Sequence, residues 1–156
     1  MRLFEQHLVV SDLKRSAVFY EEILGFQLGL NAGEILFYWI DPSHHSMLGL
    51  WQKGKSNNPF GPDTSQVLRQ HLAFEVPKER FHETVQMLKN SNVQINDFFG
   101  EETEEGSVHP WTPIVSVYFS DPDGHVLEIL SKLPDEPRPN WNPMSFSEWR
   151  QRLESE

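Results

Sequence analysis

Cysteine is absent from the 156 residues. That excludes a disulfide framework, a thiolate nucleophile and a Cys-rich zinc site, so any bound metal must be held by His and carboxylates. Long apolar runs are missing too. None approaches the roughly 20 residues needed to cross a bilayer, and residues 1–10 show neither the cationic head nor the apolar stretch of a secretory signal. A cytoplasmic location and no membrane partner are therefore expected. Positive charge is scarce: 13 Lys and Arg stand against 23 Asp and Glu, a formal charge of -10. Such a surface repels phosphate backbones, so nucleic acid is not an expected partner.

What is present reads as alternating strand and helix signals. Residues 3–10 are branched and aliphatic and predict a strand. Asp12 offers a carboxylate as N-cap for a helix whose apolar residues, Leu13, Ala17, Phe19, Tyr20, Ile23 and Leu24, fall near helical spacing, with Gly25 as its stop. Short strands follow at 26–30, 35–40 and 46–51, separated by turn formers. Residues 53–65, rich in Gly, Pro, Asn and Ser, read as a linker.

The same order then restarts. Residues 68–76 predict a strand, and residues 78–90 a helix with Phe81, Val85 and Leu88 on one face. Residues 93–99 are strand-like, 100–112 form a long acidic loop, and two strands at 114–119 and 125–131 flank the turn Ser120-Asp121-Pro122-Asp123-Gly124. The predicted fold class is α+β: two tandem βαβββ modules, residues 1–52 and 68–133, closing around a half-barrel-like enclosure within one domain, 1–133. Beyond it, residues 134–156 form an extension. A Pro-rich segment, unable to enter a sheet interior, leads to the capping pattern Ser145-Phe146-Ser147-Glu148 and a short helix with Phe146, Trp149 and Leu153 free to dock.

Two stretches carry a family resemblance. The first runs from Val10-Ser11-Asp12-Leu13 to Phe19-Tyr20, followed by Ile23-Leu24-Gly25-Phe26. The second is Tyr118-Phe119-Ser120-Asp121-Pro122-Asp123-Gly124-His125-Val126-Leu127-Glu128-Ile129. In this order and spacing the chain resembles the vicinal-oxygen-chelate superfamily of glyoxalases, bleomycin-resistance proteins and extradiol dioxygenases. The resemblance covers about residues 1–131, and it implies fold more strongly than reaction, because one fold hosts many chemistries.

The resemblance also implies where a divalent metal would be held, from the first and last strands of each module. His71 matches the opening strand of the second module and Glu128 its closing strand. On the first strand, counting back from Asp12 selects Glu5, whereas the repeated triplets Gln6-His7-Leu8 and Gln70-His71-Leu72 select His7. Residues 5 and 7 share a strand face about 6–7 Å apart, so both stay open, His7 as ligand or as base. The fourth position falls on Gly49, which cannot ligate, and this departure counts against true glyoxalase I activity. The implied set of three ligands with open positions suits a catalytic iron, manganese, nickel, cobalt or zinc ion.

Trp39, Trp51 and Trp111 are candidate substrate walls, with His109 at an entrance. His44, His45, His82 and His125 read as solvated, and the run 101–105 as a solvated acidic loop. The leading expectation is a metal-dependent enzyme acting on a small oxygenated molecule, of isomerase or lyase, thiol transferase or ring-cleaving type, with Glu128 and His7 at the chemistry. The alternative is a metal-free binding or drug-sequestering protein that stacks ligands on the Trp residues. The resemblance further implies a homodimer.

Overall fold

The computed structural model describes residues 1–56 and 58–155; Asn57, inside the expected linker, and Glu156, the last residue of the expected extension, lie outside the described residues. The architecture is α+β, with sheets of four and five strands and three α-helices among the described residues. The chain divides into two compact units, Met1–Gln70 with Asp121–His125, and His71–Ser120 with Val126–Glu156. No helix among the described residues is long and apolar enough to cross a membrane.

In the first unit, β1 (Glu5–Val10) leads into α1 (Leu13–Val18), then β2 (Gln27–Asn31), β3 (Ile35–Trp39) and β4 (Met47–Gln52). The sheet order is β1-β4-β3-β2, with β1 parallel to β4 and the other pairs antiparallel. Asp12 caps α1 as expected, accepting the Lys14 and Arg15 amides at 2.9 and 3.1 Å. The helix then widens by one residue per turn over Phe19–Ile23, and Gly25, at φ +72°, ends it in a conformation that a side chain would strain. Alternation sorts the strands. Leu8, Val10, Leu36, Tyr38, Leu48 and Leu50 are buried on the face that meets the helix, where Tyr38 donates to Glu21 and the Leu13 amide to Gln52. Glu5, His7, Phe37, Trp39, Gly49 and Trp51 take the opposite face, as the register requires.

The turn 121–125 belongs to this unit and is tied to α1 through side chains. Asp121 accepts the Tyr20 hydroxyl at 2.9 Å and the amides of Asp123 and His125. Asp123 accepts from the Ser11 amide and hydroxyl and from Arg15. His125, expected in solvent, is instead 0% exposed. Its Nδ1 accepts the Gln70 amide and its Nε2 donates to the Val9 carbonyl. A ring with both nitrogens matched to backbone groups can be buried without an unmet hydrogen bond, and nothing in the local sequence announces those distant partners. The described residues of the expected linker also fold back on this unit. Thr64 is buried, its hydroxyl donates to the Ser56 carbonyl, and its carbonyl accepts the Gly54 amide.

In the second unit, β5 (His71–Glu75), α2 (Lys78–Asn90), β6 (Ser107–His109), β7 (Ile114–Ser120) and β8 (Val126–Lys132) are followed by β9 (Met144–Ser145) and α3 (Phe146–Glu154). The order is β5-β8-β7-β6-β9, with β5 parallel to β8. The strand expected over 93–99 does not form. Asp97 accepts the amides of Phe99 and Glu101, which turns the chain, and Asn96 alone pairs across to Tyr118. The third strand lies instead at Ser107–His109, within the stretch read as acidic loop. That loop is also less solvated than expected, since Glu105 accepts the amide and hydroxyl of Ser147 in the first turn of α3 and Glu104 pairs with Lys89. Ser145 caps α3 through the Glu148 amide. Trp149 is buried with Val108, Val115, Leu133 and Met144, with Phe146 and Leu153 packed beside them.

The Tyr20–Asp121 bond generates a test. Tyr20→Phe leaves a buried carboxylate oxygen without its donor and is expected to lower stability by about 1–3 kcal/mol in chemical denaturation. An unchanged denaturation midpoint would show that the bond contributes nothing.

Candidate metal centre

The four candidate ligands, with Glu5 and His7 as alternatives, fall into two His–Glu pairs, one in each unit. In the second unit, β5 and β8 run parallel with Ala73 beside Glu128, so His71, two residues earlier on the same face, reaches the Glu128 carboxylate. Its Nε2 lies 3.0 Å from Oε2. Glu128 is only 6% exposed, yet its ion-pair partner among the described residues is that imidazole rather than a Lys or Arg. A buried carboxylate faced by an imidazole nitrogen is the donor chemistry a divalent ion accepts, since an ion compensates desolvation that a neutral ring only partly offsets.

Antiparallel pairing places Tyr118 of β7 opposite Glu128. Burial first, and then the Glu128 charge, push the Tyr118 phenol well above its ordinary value, so the hydroxyl keeps its proton. His109, on β6, sets its Nε2 2.7 Å from the Tyr118 hydroxyl. Burial holds this ring below its ordinary 6.5, with the Glu128 charge pulling the other way. Phe98 meets His109 edge-on at 4.9 Å. Its place here follows from the turn at Asp97, which sequence periodicity does not reveal.

In the first unit, Glu5 and His7 meet directly, His7 Nε2 lying 2.9 Å from Glu5 Oε1. His7 Nδ1 lies 2.5 Å from the Trp51 indole nitrogen, and Phe37 stands edge-on to the ring at 6.0 Å. Trp39 shares this face and is stacked by His44 at 4.6 Å, whereas Trp111 stands in a turn, 65% exposed. Gly49, where a carboxylate ligand is missing, lies beside His7 in the register. Among the described residues, no group of three or more His, Asp or Glu side chains is gathered that could by itself hold a metal ion.

Residues 3–129 match the profile of the Glyoxalase/Bleomycin resistance protein/Dioxygenase superfamily. The chain belongs to this superfamily. Among curated superfamily proteins it is 27% identical over 147 residues to a metallothiol transferase FosB of Staphylococcus saprophyticus, covering 90% of this chain and 85% of that protein. It is 30% identical over 125 residues to a glutathione transferase FosA of Serratia marcescens, covering 78% and 74%. Among solved structures, the integron cassette protein HFX_CASS4 from the mobile metagenome of the Halifax Harbour sewage outfall aligns with a TM-score of 0.60 at 28% identity, covering 83% of this chain and 97% of that one.

The burial of His109 generates a second test. Its folded value is depressed, so the neutral ring contributes stability above the ordinary 6.5, and that contribution is lost as pH falls through the lower folded value. Proton NMR of the metal-free protein is expected to show His109 titrating with a midpoint below 6.5. A midpoint above it would mean a solvated ring or a dominant Glu128 charge.

Proposed function

We propose that this protein is a divalent-metal-dependent transferase that joins a thiol to a small oxygenated electrophile. The observation that carries the reading is the buried Glu128 carboxylate facing His71 Nε2 at 3.0 Å. The activities named for its relatives, a metallothiol transferase and a glutathione transferase, favour thiol transfer over isomerisation or ring cleavage. His71 and Glu128 would hold the ion. Imidazole and carboxylate donors fit iron, manganese, nickel, cobalt or zinc.

When bound, such an ion supplies Lewis-acid polarisation of a substrate oxygen. The chain's own residues supply the rest. Tyr118, kept protonated, offers a hydrogen-bond donor beside Glu128. His109, kept neutral by burial, offers a ring nitrogen that exchanges a proton through the Tyr118 hydroxyl. In the overall reaction a C–S bond forms as a C–O bond breaks, and the released oxygen takes up the thiol's proton. Lys132, the basic residue nearest Glu128 in sequence, is exposed and paired with Glu75 at 3.1 Å, which argues against it as an anchor for an anionic substrate group.

The edge strand β2, exposed at each of its residues, supports the expected homodimer, since unpaired strand edges invite pairing. A metal-free binding protein is the second reading, favoured by the half-buried aromatic pair Phe37 and Trp39.

Elemental analysis after reconstitution with each candidate ion decides between them. About one ion per chain is expected in the wild type, falling to background in His71→Ala and Glu128→Ala. A wild type that takes up no stoichiometric ion under any loading would overturn the enzyme reading.

A further inference from the structure

A cavity of about 330 Å³ lies wholly within the second unit. Val115 of β7 forms part of its wall. Strand alternation turns Val115 to the face opposite Tyr118, which stands across from Glu128. The cavity is therefore separate from the candidate metal centre. Phe81 and Val85 of α2 line it, and Leu133 and Phe146 complete its apolar wall. Phe81 and Phe146 both pack against the buried cluster that holds Trp149, so α2 and the first turn of α3 bound the same space. Leu133 and Phe146 lie beyond residues 3–129, the stretch that matches the superfamily profile. The extension thus builds part of the site.

Size and charge together select an occupant. The volume falls at the lower end of the roughly 300–1,000 Å³ typical of small-molecule sites, and five apolar side chains suit a hydrocarbon body, whose transfer out of water is favourable. Four further lining residues are Lys78, His82, Glu104 and Glu105. The two carboxylates are committed within the protein. Glu105 accepts the Ser147 amide on one oxygen and the Ser147 hydroxyl on the other, at 3.0 and 2.8 Å. Glu104 pairs with Lys89 and has His82 close by. Lys78, at the start of α2, is exposed and has no ion-pair partner among the described residues. The uncommitted charge on this cavity is therefore positive, and it complements a carboxylate.

We propose that this cavity binds a medium-chain monocarboxylic acid, its hydrocarbon chain held among Phe81, Val85, Val115, Leu133 and Phe146 and its carboxylate paired with Lys78. Neither the metal centre nor the transferase reading enters this assignment. Such an occupant would bridge α2 and the extension.

Methyl-resolved NMR of the full chain, titrated with octanoate at neutral pH, tests it. Saturable shifts are expected at Val85, Val115 and Leu133, while Leu8 and Leu48, in the core of the first unit, stay in place. 1-Octanol and octylammonium share the chain and lack the anion. Both are expected to bind about three- to fivefold more weakly, and Lys78→Gln, a change at an exposed residue, to weaken octanoate by the same factor. Shifts that do not saturate, or that fall outside this cavity, would overturn the proposal. So would octanol or octylammonium binding as tightly as octanoate, or a Lys78→Gln protein that binds octanoate with wild-type affinity.

Discussion

Parallel pairing is the constraint on which the rest depends. Strands that run side by side in one direction cannot be joined by a tight turn, so each unit must carry its chain across one face of its sheet before the parallel partner is laid down. The helix in that crossing covers one face with apolar contacts, and strand alternation then assigns every second residue to the other. In the first unit this leaves Leu8 and Val10 packed in the core while Glu5 and His7 stand on the opposite face. In the second it brings His71 and Glu128 to one face from strands far apart in sequence.

The stretches most diagnostic of the superfamily serve this scaffold more than its chemistry. Ser11, Arg15 and Tyr20 from the first stretch bond Asp121 and Asp123 from the second. A carboxylate that accepts several hydrogen bonds at once fixes the course of the backbone around it. These bonds explain why such residues identify a fold while saying little of substrate or reaction. Glu128 is the exception: it lies in the same diagnostic stretch, yet faces His71.

Most of the elements were legible in the chain, because alternation and capping are local. Asp12 and Ser145 announced their helices, and residues 78–90 showed one apolar helical face. The misreadings have two causes, a local side-chain turn that overrides composition and partners remote in sequence. Residues 93–99 have strand-like composition, but Asp97 captures amides ahead of it and turns the chain, so the sheet recruits Ser107–His109 instead. His125 looked solvated beside a turn, yet Gln70 and Val9 take both ring nitrogens. At the candidate site, residue types and strand faces were readable. The pairing of Tyr118 with His109, and the place of Gly49 beside His7, required the register.

The central claim is that His71 and Glu128 hold one divalent ion. Anomalous diffraction from crystals grown with manganese tests it most directly. The account predicts a single manganese peak per chain, bonded to the His71 imidazole and to the Glu128 carboxylate. A map with no peak at Glu128 would contradict it.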